Sequence, residues 1–222
     1  MTAVTDGWLS AATGSGSGNG SSSITASQNK GRSSRTKTIT ITTTGGASQQ
    51  ISASQSGADL FVSVASASQN PAFANSGSGQ TITINGSHNG KQVSLSKVEM
   101  SGAGTSWITL PSTYVNTRTD TSAEATRDIG TNIPDDPGKE TDMNFSFVLT
   151  AAAANETLSS RQMKVRITVT DGTNSTYADV TVTQPAGSSS ISVSPSSLSF
   201  AASGESKTLT ITSNDSWSIA IS

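Results

Sequence analysis

A single histidine, His88, and no cysteine make up the supply of soft metal ligands in this 222-residue chain. A structural or catalytic zinc needs several His or Cys ligands, and an activated nucleophile needs a base beside it. Neither can be assembled from one imidazole. His88 stands in the Gly/Asn-rich stretch SHNG and is expected on a surface turn. Asp120, Glu124, Asp128, Asp135, Asp136, Glu140 and Asp142 crowd one polar stretch. Carboxylates bind calcium, but these lack the regular spacing of an EF-hand loop, so a solvated acidic loop is expected. The run GSGSGNG at residues 14–20 has no following Lys and no following helix, so it is not a phosphate loop. No catalytic, cofactor-binding or metal-ligating residue is assigned, and the chain is not expected to be an enzyme.

Sugar binding needs solvent-facing aromatic rings. The chain has three Trp, two Tyr and five Phe, so candidates are few. Trp8 and Trp107 are expected in a core, because large aromatics are mostly buried. Tyr114 and Tyr177 are the better exposed candidates. Trp217 is expected to be an inserted apolar anchor.

The surrounding sequence is that of antiparallel sheet. Charged residues make up 13% and the formal net charge is −2, with no Lys/Arg cluster, which argues against a nucleic-acid footprint. No apolar run approaches the roughly 18 residues of a membrane helix. MTAVTDGWLS has neither a basic n-region nor an h-region, so no Sec signal is expected there. Thr alternates with Ile and Val, as in a sheet with one exposed face. Strands are expected at residues 23–27, 35–44, 50–55, 60–65, 80–85, 91–100, 107–110, 144–151, 163–170 and 177–184. A bulge or bend is expected between Leu95 and Val98, where the apolar phase shifts. Residues 115–142 read as irregular, with PDDPG at 134–138 as a turn. Asp171-Gly172 signals a hairpin. Residues 151–154 are the one candidate for a helical turn.

The pattern repeats. Phe73-Ala74-Asn75-Ser76-Gly77 followed by Thr81-Ile82-Thr83-Ile84 matches Phe200-Ala201-Ala202-Ser203-Gly204 followed by Thr208-Leu209-Thr210-Ile211, both at one constant spacing. The later parts of the central unit match the N-terminus instead. Trp107-Ile108 matches Trp8-Leu9, Ile167 to Thr170 matches Ile39 to Thr42, and Val180 to Gln184 matches Ile51 to Gln55. Residues 58–187 therefore read as one complete Ig-like sandwich. Residues 188–222 read as the opening part of a second, and residues 1–57 as its closing part. Together the end pieces have the size of one Ig-like domain of about 100 residues.

SISVSPSSLSFAASGESKTLTITSNDSW, WLSAATGSGSGNGSSSITASQNKGRSSRTKTITI and ISASQSG resemble the two parts of a BACON domain, the Bacteroidetes-associated carbohydrate-binding often-N-terminal domain. The resemblance covers both chain ends, and the central unit is a looser match with longer insertions. It implies an Ig-like sandwich of the kind found in glycan-active surface proteins and phages of Bacteroidetes. The resemblance supplies no catalytic motif.

The split order points to assembly. The central unit should be roughly 36 Å across by radius-of-gyration scaling. The longer linker reaches only about 20 Å when extended. Completion by a neighbouring chain is the easier route. Such a contact is heterologous, and gives a filament unless the rotation closes a ring. The expected subunit interface is Trp8, Ile39, Ile41 and Ile51 on one piece. Val193, Leu198, Phe200, Leu209, Ile211, Trp217 and Ile219 face them from the other. The expected partner is a second copy of the chain, and the expected place a virion or extracellular surface. A carbohydrate-binding module array, with a glycan as partner and the chain cut from a longer protein, is the alternative.

Overall fold

The computed structural model describes residues 3–100 and 104–221. It is all-β, with two single-turn 3-10 helices at Ser66–Ser68 and Pro137–Lys139. The N-terminal piece has a three-stranded antiparallel sheet of β1 (Val4–Asp6), β2 (Leu9–Ala11) and β3 (Ile24–Ala26), then a hairpin of β4 (Arg35–Thr42) and β5 (Ser48–Gln55). The central sandwich follows with β6 (Val62–Val64), β7 (Thr81–His88), β8 (Gln92–Glu99), β9 (Ile108–Thr109), β10 (Thr113–Arg118), β11 (Glu124–Asp128), β12 (Met143–Ala151), β13 (Arg161–Thr170) and β14 (Ser175–Gln184). The C-terminal piece carries one antiparallel pair, β15 (Ile191–Ser194) and β16 (Thr210–Ser213).

Two sheets make the central sandwich. One runs β11-β10-β12-β7-β6, with β9 also on β12, and the other runs β14-β13-β8. Alternation dictates the inward faces. Phe145, Phe147 and Leu149 of β12 meet Met163, Val165, Ile167 and Val169 of β13, all buried in one cluster with Ile84, Trp107 and Val182. The Phe145 and Phe147 rings stack at 5.9 Å. Phe145 lies across the ladder from Gly86, whose missing side chain makes room for it. A Cβ at Gly86 would stand 2.3 Å from the Phe145 ring and 2.2 Å from the Ser63 carbonyl oxygen. Gly86→Ala is therefore expected to destabilise the sandwich by about 1–3 kcal/mol through overpacking, read as a lower urea midpoint.

Four expectations about elements are corrected. Residues 115–142 are irregular only from 129 onward, where the turn at 134–138 lies: β10 and β11 form a hairpin in register from Thr113↔Asp128 to Thr117↔Glu124. Their inward positions are filled by Tyr114, Asn116, Ala125 and Arg127, so no apolar alternation marks them. The β8–β13 ladder is unbroken from Gln92 to Glu99, so there is no bulge. The inward position between Leu95 and Glu99 is Lys97, whose ammonium donates to the carbonyls of Thr105, at 2.8 Å, and Ile108. Residues 151–154 form no helical turn. β1 and β2 lie before residue 23, in a stretch where no strand was expected. The Asp171-Gly172 hairpin joins β13 and β14, with Gly172 at φ 98°.

Candidate functional site

The central sandwich is closed at one end by a polar clasp. Arg161 opens β13, and its guanidinium lies 4.9 Å from the centre of the Trp107 ring. Its Nε and Nη2 donate to Gln184 Oε1 at 2.9 and 2.6 Å. Nη2 also donates to the carbonyls of Ala153 and Ala154 at 2.9 and 3.0 Å. All these partners are neutral, and burial pulls the Arg161 pKa below its usual value. Gln184 is wholly buried, and its Nε2 donates to the carbonyls of Ala74 at 2.9 Å, Asn75 at 3.3 Å and Ala153 at 3.3 Å. Asn155 donates through Nδ2 to Ser159 O and Pro185 O at 2.9 and 2.7 Å, and its backbone N–H to Asn75 O at 2.7 Å. The segment before β7 thus docks on the clasp. It also covers the edge of β14. Thr181 N–H donates to Gln69 O and Thr183 N–H to Pro71 O, while Phe73 N–H donates to Thr183 O. Ala72 and Thr183 are parallel partners.

The N-terminal piece builds the same clasp. Arg35 opens β4, 4.7 Å from the centre of the Trp8 ring. Its Nε donates to Gln55 Oε1 at 2.9 Å and its Nη2 to Ser27 O at 2.6 Å. Gln55 Nε2 donates to Ser27 O at 3.0 Å. Asn29 Nδ2 donates to Ser33 O and Ser56 O at 2.8 and 3.0 Å. Trp8, Asn29, Arg35 and Gln55 thus stand for Trp107, Asn155, Arg161 and Gln184. Trp8 and Gln55 were visible as repeats; the Asn and Arg were missed, although each Asn precedes its Arg at the same spacing in both units. The ladders also correct one match. Ile39 pairs with Ile51 and Val165 with Val180, so Ile39 corresponds to Val165, not to Ile167.

The two units differ in what covers them. The hairpin sheet ends at β5, and among the described residues no segment lies along it as residues 69–73 lie along β14. Ile41 and Ile51 are 58% and 54% exposed, whereas their counterparts Ile167 and Val180 are wholly buried. Ile39 and Trp8 are half-buried, the latter short of the core position expected for it. In the C-terminal piece Phe200 is 56% exposed, against 2% for its counterpart Phe73. Val193 faces Ile211 across the β15–β16 ladder. Val193, Leu198, Leu209, Trp217 and Ile219 are exposed and Ile211 is half-buried. The structure therefore places the expected interface residues on two separate apolar faces and does not join them within the chain.

The linker on each side of the central sandwich is pinned in the same way, and across the two junctions Arg32 Nε donates to Asn89 O and Asn214 Nδ2 to Glu156 O, both at 2.7 Å. Ala58 N–H donates to Gly31 O at 2.8 Å, and Gly187 N–H to Thr157 O at 2.7 Å. Asn89 Oδ1 accepts from Phe61 N–H at 2.9 Å and its Nδ2 donates to Asp59 O at 2.8 Å. Asn214 repeats this with Ser190 N–H at 2.8 Å and Ser188 O at 3.0 Å. At the first joint Arg32 N–H donates to Gly138 O and Ser33 N–H to Lys139 O, both at 2.9 Å. The Arg32 guanidinium also pairs with Asp136, both side chains largely buried.

Three expectations about chemistry-bearing residues are corrected. His88 is no surface residue but is wholly buried. The turn after β7 folds back so that Gly90 N–H donates to Nδ1 at 3.2 Å, which leaves Nε2 to donate to Asn116 Oδ1 at 3.0 Å. Burial, with the positive charge of Arg32 in support, pulls the His88 pKa down to about 4. Tyr114 is 2% exposed, because β10 turns it into the core. Burial raises its pKa to about 12. The acidic residues do not form one solvated loop. Asp136 and Asp142 pair with Arg32 and Lys30, while Asp120 and Glu140 pair with Arg118. Among the described residues no group of three or more His, Asp or Glu side chains is placed to hold a metal ion. Tyr177 is exposed as expected, but the Arg166 guanidinium lies over its ring at 3.8 Å. No helix among the described residues is long and apolar enough to cross a membrane.

No family model and no curated protein matches the sequence. Among solved structures, the chain resembles a Bacteroides ovatus GH5 xyloglucanase in complex with a XXXG heptasaccharide. The TM-score is 0.29 and the identity 17%, over 57% of this chain and 19% of that one. A likeness of that size carries no argument about activity.

Proposed function

We propose that the chain is a structural subunit that assembles head to tail. Residues 188–222 of one copy complete the Ig-like, BACON-like sandwich begun by residues 1–57 of the next. The product is a filament or fibre on a virion or extracellular surface. One observation carries this reading. Ile41, Ile51 and Phe200 stand more than half exposed, while their counterparts Ile167, Val180 and Phe73 lie in the core of the complete sandwich. Each large side chain buried on assembly contributes roughly 1.5–3 kcal/mol gross, and association and ordering costs remove much of the sum. The carbohydrate-binding alternative would use the exposed rings of Tyr177, Phe200 and Trp217; it is the weaker reading because Tyr177 has a guanidinium over its ring and the head-to-tail reading covers the other two.

Negative-stain microscopy and sedimentation of the full chain, beside a chain lacking residues 190–222, test the proposal. Filaments or closed rings are expected from the full chain and none from the truncation. Monodisperse monomers of the full chain at high concentration would overturn it.

A further inference from the structure

We infer that the Trp8–Arg35–Gln55–Asn29 clasp is a preformed receptor for one strand of a second copy, residues 196–200, added parallel to β5. The inference rests on the head-to-tail reading and specifies its contacts. The complete sandwich supplies the pattern residue by residue. Gln69, Pro71 and Phe73 lie on Thr181 and Thr183; at the repeat spacing these become Ser196, Leu198 and Phe200 on Ser52 and Ser54. Ser52 N–H then donates to the partner copy's Ser196 carbonyl and Ser54 N–H to its Leu198 carbonyl. Ser54 O accepts from the Phe200 N–H.

The polar end of the strand is read by the clasp. Gln184 Nε2 and Asn155 N–H hold the carbonyls of Ala74 and Asn75. The corresponding carbonyls are those of Ala201 and Ala202. A primary amide has two N–H donors, and Gln55 Nε2 already holds Ser27 O within its own piece. Its other hydrogen points to the role that Gln184 fulfils. Beyond the clasp the incoming chain continues along β3, the edge of its sheet. Gln80 O accepts from Ala151 N–H, and Thr81 pairs with Thr150. The counterparts are Lys207 O on Ala26 N–H and Thr208 opposite Thr25. A parallel ladder, a fixed register and a donor aimed at two carbonyls together explain how the exposed faces would find one partner rather than any sheet edge.

The chain has no cysteine, so introduced thiols are unambiguous. Ser54→Cys with Ser199→Cys places thiols at the counterparts of the bridge partners Thr183 and Ala72. Oxidation of this full-length variant should give a ladder of covalent multimers on a non-reducing gel. Ser52→Cys with Ser199→Cys, shifted along the strand, should cross-link at least about tenfold less, since a disulfide tolerates only a narrow Cα separation. Oligomers that sediment normally but cross-link equally or better at the shifted pair would overturn the register and leave head-to-tail assembly standing. A monomeric chain with neither ladder would overturn both.

The clasp is tested separately with full chains that can pair only once. One carries Ile39→Asp and Ile51→Asp, and its partner carries Phe200→Asp and Leu209→Asp. Adding Gln55→Glu to the partner keeps the oxygen that accepts from Arg35 and removes the donor. The heterodimer should weaken by about ten- to a hundredfold. An unchanged Kd would remove Gln55 from the interface.

Discussion

Gln184→Ala is expected to destabilise the central sandwich by about 3–5 kcal/mol, the loss a broken buried polar network produces. The side chain is wholly buried and joins three otherwise separate segments. Its oxygen holds the Arg161 guanidinium, and its nitrogen holds carbonyls before β7 and after β12. Truncation leaves a cation over Trp107 without its main acceptor, and it removes one donor from each of the carbonyls of Ala74, Asn75 and Ala153. Because Arg161 and Gln184 act through one bond pair, their effects should not add. In a double-mutant cycle with Arg161→Ala, the double variant should be less destabilised than the two singles imply, by about 1–3 kcal/mol. Urea denaturation followed by tryptophan fluorescence reads both quantities. A loss below about 1 kcal/mol would show that the clasp is not a structural element of the sandwich.

The second large effect is a pH dependence set by His88. Its native pKa is lowered to about 4 from an ordinary 6.5. Between those values the unfolded chain binds a proton that the folded chain refuses, so stability rises with pH across that window. The contribution is fully present above pH ~6.5, is lost as pH falls towards 4, and levels off below it, where the folded state is protonated as well. The full swing is on the order of 3 kcal/mol. Burial is the main cause. The geometry agrees: Nδ1 accepts from Gly90 N–H, so a second ring proton would have no acceptor there. His88→Gln should flatten the profile between about pH 4.5 and 6.5. The acidic limb below that range should remain, because Asp120, Asp171 and Asp179 keep carboxyl pKa values lowered by hydrogen bonds. A wild-type profile flat from pH 7 to 5 would mean that the imidazole is solvated.

What was legible in the sequence follows from which forces leave a periodic trace. β12, β13 and β14 alternate because one face packs on a core and the other meets water, so Thr, Ile and Val write the register directly, and β4 carries the same alternation although its apolar face is uncovered. β10 and β11 leave no such trace, since their inward positions include Asn116 and Arg127. Lys97 broke the phase of β8 for the same reason: a long apolar stem fills an inward position while its ammonium reaches carbonyls. His88 was misplaced because Gly and Asn next to a histidine signal a turn, and a turn folded against Asn116 buries its side chain all the same. The clasp lies between these cases. Its Trp and Gln recur visibly, but an arginine at a strand start reads as solvent-facing until the ring beneath it is seen.

The two joints have a mechanical consequence. Each linker is pinned by the same backbone bond, from Ala58 to Gly31 and from Gly187 to Thr157, and each is braced by an asparagine, Asn89 or Asn214. An object advanced by one fixed rotation and translation at every step traces a screw. If the end pieces complete one another, the array inherits its pitch from these few hydrogen bonds, and its bending stiffness from how little slack they leave. Asn89 and Asn214 would then govern the curvature of the whole rod.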